Sequence, residues 1–375
     1  MNDKELNIVS FNVPFPANYG GVIDVFYKIK ALHHLGVKIH LHCFDYGRGI
    51  QPELEKYCVS VKYYQRNTSI FALLSSKPYI VKSRANKQLL ENLLKNDYPI
   101  LFEGLHTCFW LNHHELKKRI KIVRAHNVEH DYYAFLAKSS AFSFKKLYYQ
   151  LEAKALKRFE PILQYANGIL SVSKSDEQYF KTNYPEVKAT FLPCFHQEEE
   201  ITIKDGMGTY VLYHGNLSVQ ENEAAALFIV KQIFSDIKLP LKIAGFHPSK
   251  RLKKVIQPFP HIELIENPND EQMASLIENA QTNILITHQP TGLKLKLLHT
   301  LFKGRHCLVN PLMIAGTGLD SVCEIADTPQ LFKQKIAALA QQEIDVASTL
   351  VKRYNVLGDF TNLVNAKKII EEIQQ

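Results

Sequence analysis

THQPTGLKLKLLHTLFKGRHCLVN, residues 287–310, is the stretch from which the fold follows. TNILI (282–286) before it and HCLVN (306–310) at its end are short apolar runs of strand type, so the residues between them read as loop and helix. Strand, loop, helix, strand is one crossover of a parallel sheet. A helix beginning near Lys294 runs about three turns on the 3.6-residue period, and Gly304 falls where its C′ residue would stand. Gly292 allows a backbone to approach a ligand closely. Lys296, His299, Thr300 and Lys303 share one face, while Leu298, Leu301 and Phe302 supply an apolar one. Free N–H groups and the positive end of the helix dipole attract anions, and Lys294 and Lys296 add two cations there. The pattern admits two readings, a phosphate seat or the solvated first turn of an exposed helix.

A chain of 375 residues, 46% hydrophobic and 22% charged, has the length of about two domains and the composition of a soluble globular protein. Its net charge of +8 favours phosphates, acidic membranes or nucleic acid without choosing among them. No basic run is interleaved with aromatics as a nucleic-acid groove requires, so nucleic acid is not expected as a partner. MNDKELNIVSFN lacks the basic start and apolar core of a leader, and no run reaches the roughly 20 apolar residues of a membrane span. The expected location is cytoplasmic. Six scattered cysteines without C-x-x-C spacing read as reduced packing residues.

In chain order, LNIVSFN is a buried strand, VPFPANYGG a loop, residues 22–35 a helix and VKIHLHCF a second strand, the opening of a doubly wound sheet. Gly20 and Gly21 fall at the carboxyl end of the first strand, where ligands sit, although a Gly-Gly pair is also an ordinary tight turn. A polar stretch read as helices runs to about residue 95. The strand PILFEGL then delivers Glu103 and His106 at its carboxyl end, and IKIVRA delivers His126, Asn127, Glu129 and His130. Two consecutive strands discharging titratable residues at one edge form a candidate site, with His106 alternatively a capping or core histidine. His126, Glu129 and His130 spell H-x-x-E-H, but a zinc pair needs both histidines on one helical face, and this motif begins where a strand ends. No metal site is expected.

SFKKLYYQLEAKALKRFEPILQ (143–164) is a basic amphipathic helix, compatible with peripheral contact on an anionic membrane or with packing under a solvated face. The acidic run HQEEEITIKDGMG (196–208) changes the composition and marks a boundary. The second half repeats the architecture: TYVLYHGNL, ENEAAALFIVKQIF, LKIAGF and HIELIENPNDEQMASLIENA alternate strand and helix up to the opening crossover. The expected organisation is α/β, with doubly wound domains over 1–200 and 201–355 facing a cleft, and a helical segment over 356–375 packing back toward the first domain.

The ordered set PANYGG, RAHNVEH, ILSVSKSDE, YHGNLSVQEN and TGLKLKLLHTLFKGR, spanning essentially the whole chain, resembles the GT-B glycosyltransferases of family 4. The resemblance implies two Rossmann-like domains, a nucleotide-sugar donor on the second, a glycan or lipid-linked acceptor on the first, retention of anomeric configuration and no metal. The donor, UDP- or GDP-linked, is then a co-substrate and no cofactor is required. The resemblance places Gly20 and Gly21 at the loop near the donor phosphates and His106 beside the transferred sugar. Gly215 and Asn216 fall near the diphosphate, and Thr291, Gly292, Leu293, Lys294, Lys296 and His299 along the donor helix and its approach. Glu103, His126, Asn127 and Glu129 fall on the acceptor side or the cleft.

Several positions depart from the family pattern. Thr291 and His299 stand where the E-x7-E motif has its glutamates, Asn216 where an arginine is usual, Gln220 or Glu221 where a lysine is usual, and Cys194 where an asparagine is usual. Thr291 can still hydrogen-bond a sugar hydroxyl and His299 accept from a ribose, without the charge-assisted bond of a carboxylate. Three functions are therefore open: a retaining glycosyltransferase of bacterial surface polysaccharide synthesis, peripheral at the inner membrane face; a degenerate GT-B binding or scaffold protein; and a sugar-nucleotide epimerase on the same architecture.

Overall fold

Apolar runs buried on both faces become the strands of two parallel sheets in the computed structural model, which describes residues 4–69, 75–140, 144–288 and 294–374. The chain divides into two units, residues 1–196 with 362–375, and residues 197–361. In the first, β1 (Glu5–Ser10), β2 (Lys38–Asp45), β3 (Ser60–Gln65), β4 (Ile100–Glu103), β5 (Lys121–Ala125), β6 (Gly168–Ser171) and β7 (Lys188–Phe191) lie in the order β3-β2-β1-β4-β5-β6-β7. In the second, β8 (Val211–His214), β9 (Leu241–Gly245), β10 (Ile262–Glu266), β11 (Thr282–Leu285), β12 (His306–Val309) and β13 (Glu324–Ile325) lie in the order β10-β9-β8-β11-β12-β13. Strand order reverses between β1 and β4 and again between β8 and β11. Such switch points leave a crevice at the carboxyl edge of a doubly wound sheet.

Helices α1 (Gly20–His34), α2 (Glu129–Ser139), α3 (Phe144–Phe159), α4 (Gln220–Phe228), α5 (Leu295–Lys303) and α6 (Asn362–Ile373) carry the residues that matter for function. The structure corrects three expectations. SVKYYQ, read as part of a polar helical stretch, is strand β3; it is the half-exposed edge of its sheet and so lacks a continuous apolar run. The basic helix expected over 143–164 stops at Phe159 and becomes a 3-10 turn over Glu160–Tyr165, because Pro161 has no N–H to continue the ladder. Gly304 follows α5 in extended backbone, φ −81, and not in the left-handed C′ conformation. The site requires glycine for space, since a Cβ there would stand 2.5 Å from Asn283 Nδ2.

The first unit closes on its last helix. Ala366, Ile369, Ile370 and Ile373 of α6 join Val25, Ile29 and Leu32 of α1 in one apolar cluster. Asn362 at the start of α6 accepts from His196 N at 3.1 Å and donates to His196 O at 2.6 Å, fixing the return of the chain to this unit. All six cysteines are free thiols; Cys43, Cys108, Cys194 and Cys307 are buried, the first two within apolar clusters.

Beneath this core lies a buried charge cluster. Lys28 of α1 bridges Asp24 at 2.9 Å and Glu103 of β4 at 2.7 Å. Arg124 of β5 donates to Asp24 at 2.9 and 3.2 Å and to Pro193 O, while Phe195 N donates to Asp24 Oδ1 at 2.8 Å. His126 completes the cluster, its Nε2 lying 3.1 Å from Glu103 Oε2. Burial alone would raise the Asp24 carboxyl, but the charges of Arg124 and Lys28 outweigh it and hold the group well below the carboxylate range. Glu103 is held down in the same way by Lys28 and His126. Two cations meet two anions, so the cluster is neutral without a further ion. Removing one partner leaves an uncompensated buried charge. Asp24→Asn should therefore cost about 3–5 kcal/mol of unfolding free energy at pH 7 in urea titrations. A carboxyl depressed below its ordinary 3.8 stabilises fully above that pH and loses its contribution as pH falls further. Variant and parent should accordingly converge in acid, and equal midpoints at pH 7 would remove the cluster from the stability of the unit.

Candidate functional site

The carboxyl edge of the first sheet gathers the ends of β1, β4 and β5. Gly104, after β4, adopts φ 74, and a Cβ there would stand 2.7 Å from His106 Nδ1. Glycine thus lets the chain turn sharply into the 3-10 segment Leu105–Trp110 and brings His106 back over the strand end. The Phe11 ring, after β1, lies 5.8 Å from the His106 ring and 5.5 Å from His126. Gly21 lies under the same ring, where a Cβ would come within 2.6 Å of Phe11 Cζ. Arg84 fixes this loop by donating to Phe11 O at 2.9 and 3.0 Å. Gly20 and Gly21 open α1, with Gly20 exposed.

His106 and Glu129 meet across this edge, with Nε2 3.6 Å from Oε2. Glu129 opens α2 and is 2% exposed. Among the described residues neither Glu129 Oε1 nor His106 Nδ1 has a hydrogen-bond partner. Burial first, then the nearby Asp176 and Glu160, push the Glu129 carboxyl up to about 8, against a lowering hydrogen bond from Asn127. Burial and the neighbouring Arg84 hold His106 well below its usual value. At neutral pH this is a neutral imidazole facing a carboxyl that keeps its proton, two polar groups with bonding capacity to spare.

The other residues named for this edge serve differently. Glu103 is 0% exposed and spent on Lys28 and His126, so it is a counter-ion inside the fold. His126 faces Glu103, whereas His130 turns to Glu160 at 2.9 Å, so the two histidines of H-x-x-E-H have separate partners. The ligand-type grouping of Asp24, Glu103 and His126 is already filled by Lys28 and Arg124.

The second sheet presents its own edge at β8 and β11. Gly215 N donates to Ala244 O at 3.1 Å, and Asn216 folds its loop by accepting from Ser218 N at 3.1 Å. Asn222 of α4 donates to Asn216 O and accepts from Lys296 Nζ, both at 3.0 Å. Lys296 also lies over the Tyr213 ring, 5.4 Å from its centroid. Burial pushes both Lys294 and Lys296 down to about 8, opposed by the carboxylate of Glu221. Glu221 accepts from Thr287 Oγ1 and from His288 N at 3.1 Å, anchoring the end of β11. Thr291, Gly292 and Leu293 lie outside the described residues.

The polar stripe expected along α5 is divided by its packing. Lys296 faces α4, Thr300 is fully buried against His214 Nε2 at 3.1 Å, and His299 lies 3.1 Å from Glu198 Oε1. Gln197 Nε2 is 3.2 and 3.3 Å from the two His299 ring nitrogens. Residues 197–202 cover that side of the helix, a contact invisible to helical periodicity. Asn222, Glu221 and Glu198 join this candidate site through their contacts with Lys296, with Thr287 and His288, and with His299, and sequence pattern does not single them out. Their signal was limited to a polar QEN opening a helix and an acidic run at a boundary.

No family model matches the chain. Over 388 residues it is 27% identical to a Klebsiella pneumoniae protein described as an uncharacterized 44.6 kDa protein in the cps region, with 98% of each chain covered. Its backbone is similar to that of a glycosyltransferase from Rickettsia africae ESF-5, TM-score 0.68 at 14% identity over 100% of both chains. It is also similar to the apo form of the lipopolysaccharide outer core galactosyltransferase WaaB, TM-score 0.64 at 11% identity over 99% of each. At these identities the likeness is one of fold, and the chain has the two-domain GT-B fold that the ordered motifs imply.

Glu129 leaves a thermodynamic signature of its own. The unfolded chain loses this proton near 4.5 while the folded chain keeps it to about 8, so across that window the unfolded state binds fewer protons and stability falls as pH rises. Glu129→Gln, which cannot ionise, should be more stable than the parent at pH 8 by on the order of a few kcal/mol. The difference should shrink toward pH 5. A gap that does not change with pH in chemical unfolding would show that Glu129 ionises normally.

Proposed function

We propose that the chain is a glycosyltransferase that moves a sugar, with retention, from a UDP- or GDP-linked donor to a glycan or lipid-linked acceptor in bacterial surface polysaccharide synthesis. What carries the reading is the paired Lys294 and Lys296 at the carboxyl edge of the second sheet, beside Asn222, in a chain of GT-B fold. In this reading the bond between the anomeric carbon and the donor phosphate breaks with its electron pair leaving on the diphosphate. The two lysines offset that charge, as preorganised cations do best where burial has removed water. The acceptor oxygen bonds the same carbon, and its proton passes to the departing phosphate. His106, on the first unit, is assigned to the chemical step, where a hydrogen bond to a hydroxyl of the transferred sugar strengthens as positive charge builds on the anomeric carbon. The Klebsiella relative, described by its place in the cps region, supports the polysaccharide context.

A second reading, a GT-B binding protein without turnover, is favoured by one observation. His299 stands where a motif glutamate is expected and its imidazole is engaged by Glu198 and Gln197. Incubation with a panel of nucleotide sugars separates the two: transfer or slow hydrolysis supports the first, binding alone the second, and interconversion of the sugars would favour an epimerase over both.

Two measurements test the residue assignments. In calorimetry with UDP and GDP, Lys296→Ala should weaken binding by about 1.5–3 kcal/mol, the worth of a hydrogen bond to a charged group. Parent affinity should also decline as pH rises past about 8, where both lysines lose their charge. Unchanged affinity in the variant would displace Lys296 from the donor site. In steady-state kinetics, His106→Ala should lose roughly 10² to 10³ in kcat at nearly constant donor KM, since a transition-state contact lowers kcat and kcat/KM together. A rise in KM alone would make His106 a binding residue.

A further inference from the structure

We infer that Cys307 and Cys323 form an oxidisable dithiol, a site at which a hydroperoxide is reduced as the two thiols close to a disulfide. The sheet makes the pair. β12 and β13 run parallel with Leu308 opposite Glu324 and Val309 opposite Ile325, and one step back along the same register sets Cys307 opposite Cys323. Cys323 is in extended backbone, φ −124 and ψ 149, so the register carries through to it. Opposed residues on parallel strands share a face, and both thiols line one cavity of about 230 Å3. Neighbouring strands stand about 4.8 Å apart, inside the roughly 4.4–6.8 Å between Cα atoms that a disulfide spans. The two thiols already share a hydrogen bond. Sequence spacing conceals the pair, since it is built by adjacent strands and not by a C-x-x-C turn.

The surroundings favour oxidation at this place. Arg305, Lys352 and Arg353 line the cavity against two acids, and both acids are engaged: Glu324 pairs with Lys335, and Asp345 caps the helix Val346–Leu357 by accepting from Ser348 N at 3.0 Å. Arg353 is 2% exposed and donates to Gly304 O at 2.7 Å and to Arg305 O, which leaves its Nε without a hydrogen-bond partner among the described residues. Burial pushes its guanidinium down to about 10, still charged at neutral pH, opposed by the charges of Cys307 and Cys323. Lys352 and Ser321 are exposed and Cys323 is half-buried, so solvent reaches the pair. A thiol beside fixed positive charge, with a second thiol at hand to resolve it, is the setting in which cysteine oxidises selectively. The bond to Cys307 first, and burial second, hold the Cys323 thiol well above its usual value, so Cys323 keeps its proton and donates it toward Cys307. Cys307 is therefore the sulfur that attacks. Its bond to the terminal peroxide oxygen forms as the O–O bond breaks, and the departing alkoxide takes up the thiol proton. Cys323 then attacks that sulfur, S–S replaces S–O, and water leaves with the Cys323 proton. The thiols give up two hydrogens and two electrons, and the hydroperoxide becomes an alcohol and water.

The pair lies toward the amino edge of the second sheet, whereas Lys294 and Lys296 follow the carboxyl end of β11, and its test uses no nucleotide sugar, so either reading can fail alone. The full chain, reduced and freed of reductant, is titrated with hydrogen peroxide, alkylated and digested with trypsin. No Lys or Arg lies between His306 and Lys333, so both cysteines fall in one peptide. Peptide 306–333 should escape alkylation and weigh two hydrogens less than its reduced form, at doses that leave the half-buried Cys58 alkylated, and dithiothreitol should restore it. In Cys323→Ser the same dose should leave Cys307 as a sulfenic acid that dimedone captures, while in Cys307→Ser the Cys323 thiol should stay reduced. A peptide that remains alkylated while Cys58 is oxidised, that gains oxygen without losing hydrogens, or that links to a second chain overturns the inference. So does undiminished oxidation of Cys323 in Cys307→Ser, which would show two thiols reacting separately.

Discussion

Asp24 is the group on which the first unit turns. Its carboxylate takes Arg124 from β5, Lys28 from its own helix and the backbone of Phe195, while Lys28 passes the connection on to Glu103 of β4 and from there to His126. Each charge is buried, and each would be costly alone. Because the pairs close on one another, α1, two central strands and the segment after β7 have one arrangement in which every charge is met. The residues that face the carboxyl edge, His106 and Glu129, follow these same strands within a few positions. A rigid ionic foundation thus sits directly beneath two groups whose own bonding is incomplete.

The two sheets solve the same problem with different charge. At the first edge the groups are neutral at pH 7: a depressed imidazole, a protonated carboxyl and aromatic rings. At the second edge the groups are ionic: two lysines beside a carboxylate, with Asn222 tying one lysine to the glycine loop. Neutral donors suit hydroxyls, which carry no charge to balance, and buried cations suit phosphate. The division is one of chemistry, neutral hydrogen-bonding groups at one edge and charge at the other, each placed where strand order reverses.

Much of this was legible from residues alone. Alternating apolar runs and glycine loops announce a doubly wound fold, and charges stranded inside apolar segments, Asp24 and Lys28 four apart in VIDVFYKIK and Arg124 within IKIVRA, mark the buried cluster for a reader who asks where those charges go. Strand β3 was hidden because an edge strand needs only one good face. The roles of Glu103 and His299 were hidden for a deeper reason. Position at a strand end or on a helix face says what a side chain can reach, but whether it reaches ligand or protein depends on Lys28 and Glu198, which lie 75 and 101 residues away in sequence.

The second edge also bears on the missing motif glutamates. In the family pattern that the chain resembles, the glutamate pair brings two negative charges to this edge, and a lysine and an arginine in the glycine loop and at the start of α4 would offset them. Here the losses are matched: Asn216 and either Gln220 or Glu221 stand where those cations are expected, and Thr291 and His299 where the anions are. Both signs are thus reduced together at these positions, and Lys294 and Lys296 remain opposite Glu221. Glu198 then restores a carboxylate at His299 from outside the motif, 7% exposed and 3.1 Å from the imidazole. The departures at this edge thus fall on both signs together, and two buried lysines leave its chemistry suited to an anion.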